Sequence, residues 1–266
     1  MKKTLLILGA ALCLQAGLTR AADLKDFPSQ THWVLNLDLK AAQASPLVNY
    51  LAEKIDESKR LDAKNKLAAI KALFGVDLLK DIDQLVLVGN GDAEKGGVAY
   101  VYGTFDAQRL TTILAGGKNY TAIDHNGFKM QSWQDDKDNK QKYLSFAKPG
   151  MALFSNTQNT LADALDVLAG KKAGLASDSP LSEAFVRSPQ TLFSLYAFDV
   201  GSIVGQAPKA EMLKQAQALS LRVQTINADT LEAAVSVTAA SNETALQIHQ
   251  AAMGIQALML LQAAAK

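Results

Sequence analysis

The sequence predicts an α+β fold: two ferredoxin-like β-α-β-β-α halves with mainly antiparallel sheets, helices on one face, and extra strands between the halves. Three observations predict it. Segments with strict alternation of apolar and polar residues take turns with segments whose apolar residues recur every three or four positions. Turn residues separate neighbouring strands at hairpin spacing, which makes the pairing antiparallel. The order strand, helix, strand, strand, helix occurs twice, the pattern of an internal duplication.

In the first half, Trp33, Leu35, Leu37 and Leu39 alternate along a half-buried strand. Ser45 and Pro46 supply an N-cap and a first-turn proline. Leu47, Leu51 and Ile55 continue that helix, and Asp56 to Lys66 is a charged stretch over solvent. The apolar stripe returns at Leu67, Ile70, Leu73 and Phe74 before Gly75 stops it. About 28 helical residues would run about 42 Å, so a break near Asp62 is expected. Leu85–Val88 and Val98–Phe105 form a hairpin through Gly89, Asn90, Gly91, Asp92, Gly96 and Gly97. Asp106 caps a helix carrying Leu110, Ile113 and Leu114, closed by Gly116 and Gly117.

Four short strands follow, at Tyr120–Ile123, Phe128–Trp133, Tyr143–Ala147 and Ala152–Ser155, then a helix capped by Thr157 with Leu161, Leu165 and Leu168. Lys171–Ser179 reads as a linker, within a wider connection over 171–189 that holds a short helix from Pro180. The second half spans 190–266. It has a strand at Leu192–Val200, a helix from Pro208 carrying Met212, Leu213, Ala216 and Leu219, a strand at Leu221–Ile226 and another at Leu231–Ala239. Ser241 caps a last helix, almost wholly apolar from Ala251 to Ala265. The junctions Leu37-Asp38-Leu39 and Phe198-Asp199-Val200 match. Polar alternates at Asn36, Asp38, Arg222, Gln224, Glu232, Ser236 and Thr238 predict that the second sheet face is wet.

The first 22 residues are laid out as a bacterial secretory leader. Lys2 and Lys3 precede a 14-residue apolar run, Leu5 to Leu18, and Ala21 and Ala22 supply small residues for cleavage. Cys13 lies inside the apolar run after Leu12, which is not the pattern of a lipoprotein signal. The chain after the leader contains no cysteine, so disulfides and thiol chemistry are not expected there. It carries 24 basic and 26 acidic residues, a balance that argues against nucleic acid as a partner. The expected location is the periplasm or outside the cell, with no stable membrane insertion once the leader is removed.

Motifs for chemistry fail on inspection. Asp135–Asn139 resembles a calcium loop but lacks its glycine, and its fifth position from Asp136 is Lys140. Gly91 and Gly96 have phosphate-loop spacing, but Gly97 and Val98 stand where Lys and Ser or Thr are needed. Ser145 and Lys148 share the spacing of penicillin-recognising enzymes, but in a strand rather than at the start of a helix. His32, His125 and His249 share no metal-ligand spacing. Asp38 and Asp199 are read as turn and helix-start residues. Asn119 and Asn242 open chance glycosylation acceptors. No catalytic residue, cofactor or metal is expected.

The run Phe74-Gly75-Val76-Asp77-Leu78-Leu79-Lys80-Asp81-Ile82-Asp83-Gln84-Leu85-Val86 combines a helix stop with an acidic strand entry. With Leu37-Asp38-Leu39 and Gly150–Ser155 before a Leu-rich helix, it is similar to a family of uncharacterised exported bacterial proteins with duplicated α+β halves. The resemblance covers residues 31–168 and, more weakly, 190–250. It implies a fold and no activity.

The function expected from the residues is that of an exported, non-catalytic binding or protein-interaction module. Its expected partner surface is Met253, Ile255, Leu258, Met259 and Leu261 on the last helix, where a protein partner or a second copy would dock. The alternative is a small-ligand or lipid binder with a cleft between the halves near Trp33 and Trp133. A hydrolase without a recognisable motif comes third.

Overall fold

The alternating residues Trp33–Asp38 form strand β1, and Asp38 ends it by capping the helix that follows. Its Oδ1 accepts from the Ala41 amide at 2.7 Å and starts α1 (Leu39–Ala44). Ser45 caps α2 (Pro46–Lys54) through the Val48 amide at 3.3 Å. Asp56 caps α3 (Glu57–Phe74) through the Ser58 amide at 2.9 Å. The break expected near Asp62 therefore comes earlier, at Ile55–Asp56, because the Asp56 carboxylate competes for the next free amide. Gly75 closes α3 with φ +72°. These details come from a computed structural model, which describes residues 22–91, 96–185, 190–201, 213–250 and 253. Residues 1–21 of the expected leader and most of the apolar C-terminal segment, with Ile255, Leu258, Met259 and Leu261, lie outside the described residues.

The remaining strands are β2 (Ile82–Gly89), β3 (Gly97–Gly103), β4 (Thr121–His125), β5 (Phe128–Gln134), β6 (Gln141–Lys148), β7 (Met151–Ser155), β8 (Thr191–Phe198), β9 (Ala216–Asn227) and β10 (Thr230–Ala239). The remaining helices are α4 (Ala107–Ala115) and α5 (Gln158–Leu168). The strands form one antiparallel sheet in the order β10-β9-β8-β1-β2-β3-β7-β6-β5-β4. The α+β class holds, but the strands of the two halves do not form separate sheets. They join where β1 pairs with β8, Trp33 opposite Ala197 and Leu37 opposite Phe193. Nor do β1 and β2 run parallel, as strands joined by a helix do in a split βαβ unit; they are antiparallel neighbours, with Trp33 opposite Gly89 and Asp38 opposite Gln84.

Three further expectations change. The 171–189 connection is not a free linker: Leu175 N donates to Phe27 O at 2.8 Å, and Leu175 and Leu181 are buried in the main core. Ala216 and Leu219, expected on a helix, stand in β9, opposite Ala239 and Val237 of β10. Finally, the second sheet face is wet only at the β9–β10 end. Across β1, β2, β3 and β7 it carries the main core, in which Val34, Val86, Tyr100, Tyr102 and Leu153 pack with Leu161 and Leu165 of α5 and with Phe27. Asn36 is enclosed there too, accepting from Gln84 Nε2 at 2.8 Å.

Candidate functional site

The opposite face is apolar along its middle from β10 to β6 and turns polar at Gln131 of β5. The registers place Val235, Leu221, Leu195, Leu35, Leu87, Ala99, Phe154 and Leu144 in one row across eight strands. Helices α1 to α4 contribute no buried residue. Leu35, Leu87 and Leu144 are accordingly only half-buried. An apolar sheet with so little helix cover leaves space between the layers.

That space is a cleft of about 250 Å³. Its roof is Ile70 and Phe74 of α3 with Leu110 and Leu114 of α4; its floor is Val101 of β3, Ala152 of β7, and Leu144 and Phe146 of β6. Val76, Leu78, Ile82 and Phe105 close the end, the rings of Phe105 and Phe146 lying 5.7 Å apart at 45°. Every lining residue is apolar. Of the helix stripe Leu67, Ile70, Leu73 and Phe74, Ile70 and Phe74 thus face the cleft, while Leu73 is 61% exposed. A cation stands at the rim. Arg109 lies over Gly75, where a Cβ would come within 2.5 Å of its guanidinium, and Gly75 sits between the lining residues Phe74 and Val76. Among the described residues no carboxylate pairs with Arg109.

The two tryptophans do not share a cleft. Both project from the apolar face, but β2, β3, β7 and β6 separate their strands, about 24 Å at the usual strand spacing. Trp33 lies across Gly89, where a Cβ would meet the indole at 2.7 Å, and near Gly97. It packs with Ala197, Val200 and Ala216. The glycines read as loop residues are its seat. Trp133 packs against Phe154, with Gly117 beneath it. A larger hollow of about 620 Å³ opens beside Gln30, Thr31, Asn90 and Asn159, with mixed polar lining. Its polar lining includes the hydroxyls of Thr31, Thr157 and Thr160 and the carboxylate of Asp163, which is held by Lys172 at 2.5 Å.

Of the histidines, His125 has a partner that the sequence reading missed. Its Nε2 lies 2.7 Å from Asp166 Oδ1, an oxygen that also accepts from Asn126 Nδ2 at 2.6 Å. Lys172 Nζ stands 3.2 Å from Asp166 Oδ2, and Lys171 donates to Asn126. Burial pushes the Asp166 carboxyl up, but the hydrogen bonds from Asn126, His125 and Lys172 outweigh it and hold the carboxyl below its ordinary value. This is the geometry of an acid–imidazole pair, and among the described residues no hydroxyl or thiol is hydrogen-bonded to His125. It ties the β4–β5 turn to the end of α5.

His32 lies far from it along the chain, its amide bonded to Gly89 O at 2.8 Å and its ring 4.8 Å from Phe198. Asp26 and Lys148 form a largely buried ion pair at 3.1 Å, beside which Tyr100 OH donates to Asp26 O at 3.2 Å. Burial pushes the Tyr100 hydroxyl pKa well up. Among the described residues no three His, Cys, Asp or Glu side chains gather as metal ligands, and no helix is long and apolar enough to cross a membrane. On the last helix Met253 is 53% exposed.

No known family matches the chain, and no curated protein matches it. Two crystal forms of the protein TP0453 are similar to it. Form III has a TM-score of 0.51 at 11% identity, over 87% of this chain and 87% of that one. Form I has a TM-score of 0.48 at 10% identity, over 84% and 80%. The likeness to form III is one of fold alone.

Proposed function

We propose that this chain is an exported, non-catalytic binding protein whose cleft between α3, α4 and the sheet takes a single-chain amphiphile with an anionic head. The observation that carries the reading is the cleft itself: twelve apolar residues around open space, under helices that bury none of their own side chains. At about 250 Å³ it lies just below the roughly 300–1,000 Å³ of ordinary small-molecule pockets, a size suited to one unbranched chain. About eight methylenes buried at about 0.8 kcal/mol each would supply about 6 kcal/mol, which corresponds to a dissociation constant of roughly tens of micromolar. Arg109 at the rim is placed for the head group, since guanidinium binds carboxylate through paired donors.

The test is displacement of a solvatochromic dye by a series of saturated fatty acids and the matching alcohols. Affinity should rise with chain length. Leu144→Trp, which fills the cleft, should abolish binding of both series, while Arg109→Gln should weaken the acids several-fold and leave the alcohols unchanged. Dye displacement unaffected by Leu144→Trp would reject the cleft as the site.

A second reading, a protein partner docked on the C-terminal helix, is favoured by the exposure of Leu246 (62%) and Met253 (53%). It predicts that deleting residues 251–266 removes a partner while leaving fatty-acid binding intact. The reading of the two halves as copies of one ancestral unit is part of the same proposal. Its support is that β1-β2-β3 and β8-β9-β10 are each laid down as consecutive neighbours and meet at β1–β8.

A further inference from the structure

Sheet edges present unpaired backbone donors and acceptors, and proteins usually blunt them with short strands, charges, prolines or bulges. The two edges of this sheet differ in that respect. Strand β4 is five residues long and carries Asp124, which faces Lys129 at 3.5 Å. Strand β10 is ten residues long, Thr-Leu-Glu-Ala-Ala-Val-Ser-Val-Thr-Ala, with Glu232 its one charge and no proline. Its pairing with β9 has two irregularities, and both place the extra residue on β9: Ile226 between the partners of Thr230 and Leu231, and Gln217 between those of Thr238 and Ala239. The outer edge of β10 is therefore unbroken. It is also uncovered, with Ala233, Ala234 and Ser236 exposed and Val235 at 65%. The helix over 242–250 packs back towards the end of β9 through Thr244, whose hydroxyl donates to Gln215 Oε1 at 3.2 Å.

We propose that β10 pairs with β10 of a second copy of this chain, joining two sheets edge to edge about a two-fold axis. An antiparallel pair related by such an axis keeps the apolar faces continuous only if each residue meets a partner of its own face. Any axis through a β10 residue does this, and centring it on Val235 pairs the whole span Leu231–Ala239 with its copy. Val235 then meets itself, Ala233 meets Val237 and Leu231 meets Ala239 on the apolar face. On the other face Ala234 meets Ser236, and Glu232 meets Thr238. The two copies of Glu232 fall about 20 Å apart along the strand, so the edge's one charge never faces its own image. The edge thus matches its own copy in face and avoids like-charge contact. The chain already joins strands by this rule inside the sheet, where Trp33, Leu35 and Leu37 of β1 lie opposite Ala197, Leu195 and Phe193 of β8.

The experiment places one cysteine at the axis. In a Cys13→Ser background, Val235→Cys faces its own copy, within the Cα separation that a disulfide spans. Mild oxidation should give a covalent dimer from Val235→Cys and none from Leu231→Cys, whose partner is Ala239. Sedimentation equilibrium of the wild-type chain should show a concentration-dependent dimer. Val235→Lys should return it to monomer with unchanged far-ultraviolet dichroism. A wild-type chain that stays monomeric overturns the proposal, whether or not a foreign peptide binds the edge. Equal cross-linking from Val235→Cys and Leu231→Cys overturns it as well.

Discussion

Gly89 and Gly97 each lie in a strand: at Gly89 the Trp33 indole fills the space a side chain would need, and at Gly97 a Cβ would meet the Val88 carbonyl oxygen at 2.4 Å. Nothing local in the sequence links position 33 to position 89. Gly89→Ala should cost about 1–3 kcal/mol through overpacking, and much less in a Trp33→Leu background; urea denaturation of the four variants gives the coupling directly. Asp166 makes the complementary point about charge. Its folded carboxyl is held below its ordinary value of 3.8, so the unfolded chain binds the proton more readily than the folded one. The stabilisation is full above the unfolded value and is lost as pH falls through the folded one. Asp166→Asn should therefore destabilise the chain at neutral pH and flatten the acid limb, its curve meeting that of the wild type in acid. Parallel curves from neutral to acid pH would remove Asp166 from the acid response.

At the scale of elements, local signals did well where caps or alternation decide the outcome. Asp38, Ser45, Asp106 and Ser241 all start helices through a side-chain bond to a nearby amide. The four strands between the halves also stand close to their expected places. Elements decided by distant partners were misread. Residues 216–219 carry apolar spacing that suits a helix, but β8 and β10 flank them and they extend. The connection over 171–189 looks like a linker in composition, yet its 3₁₀ turn Pro180–Phe185 buries Leu181 completely and gives Ser194 a hydrogen bond from Oγ to Ala184 O at 2.7 Å. Leu181→Ala should cost about 2–5 kcal/mol as a core cavity. A change within about 0.5 kcal/mol, the usual range for a surface substitution, would restore the linker reading.

For the whole molecule, the sequence conveyed the order of elements but not their assembly. The pairing of β1 with β8 joins residues about 160 positions apart, and no periodicity encodes which of several apolar strands will meet. For the same reason the sequence points to a cleft between the halves near Trp33 and Trp133, whereas the apolar cleft of the structure lies under α3 and α4. A shared sheet has a thermodynamic consequence. Unfolding β8–β10 would expose the β1 edge with Leu35 and Leu37 and remove the partners of five β1 residues. The first half would thus lose its continuation as well as a neighbour. Calorimetry should show one transition, with calorimetric and van't Hoff enthalpies in agreement. Two resolved transitions would mean that the β1–β8 seam couples the halves weakly, and the chain would then be two domains sharing an edge. A charge at the seam sharpens the distinction. Leu195→Asp, opposite Leu35, should lower the single melting temperature of a cooperative sheet, but would lower only the β8–β10 transition of a divided one.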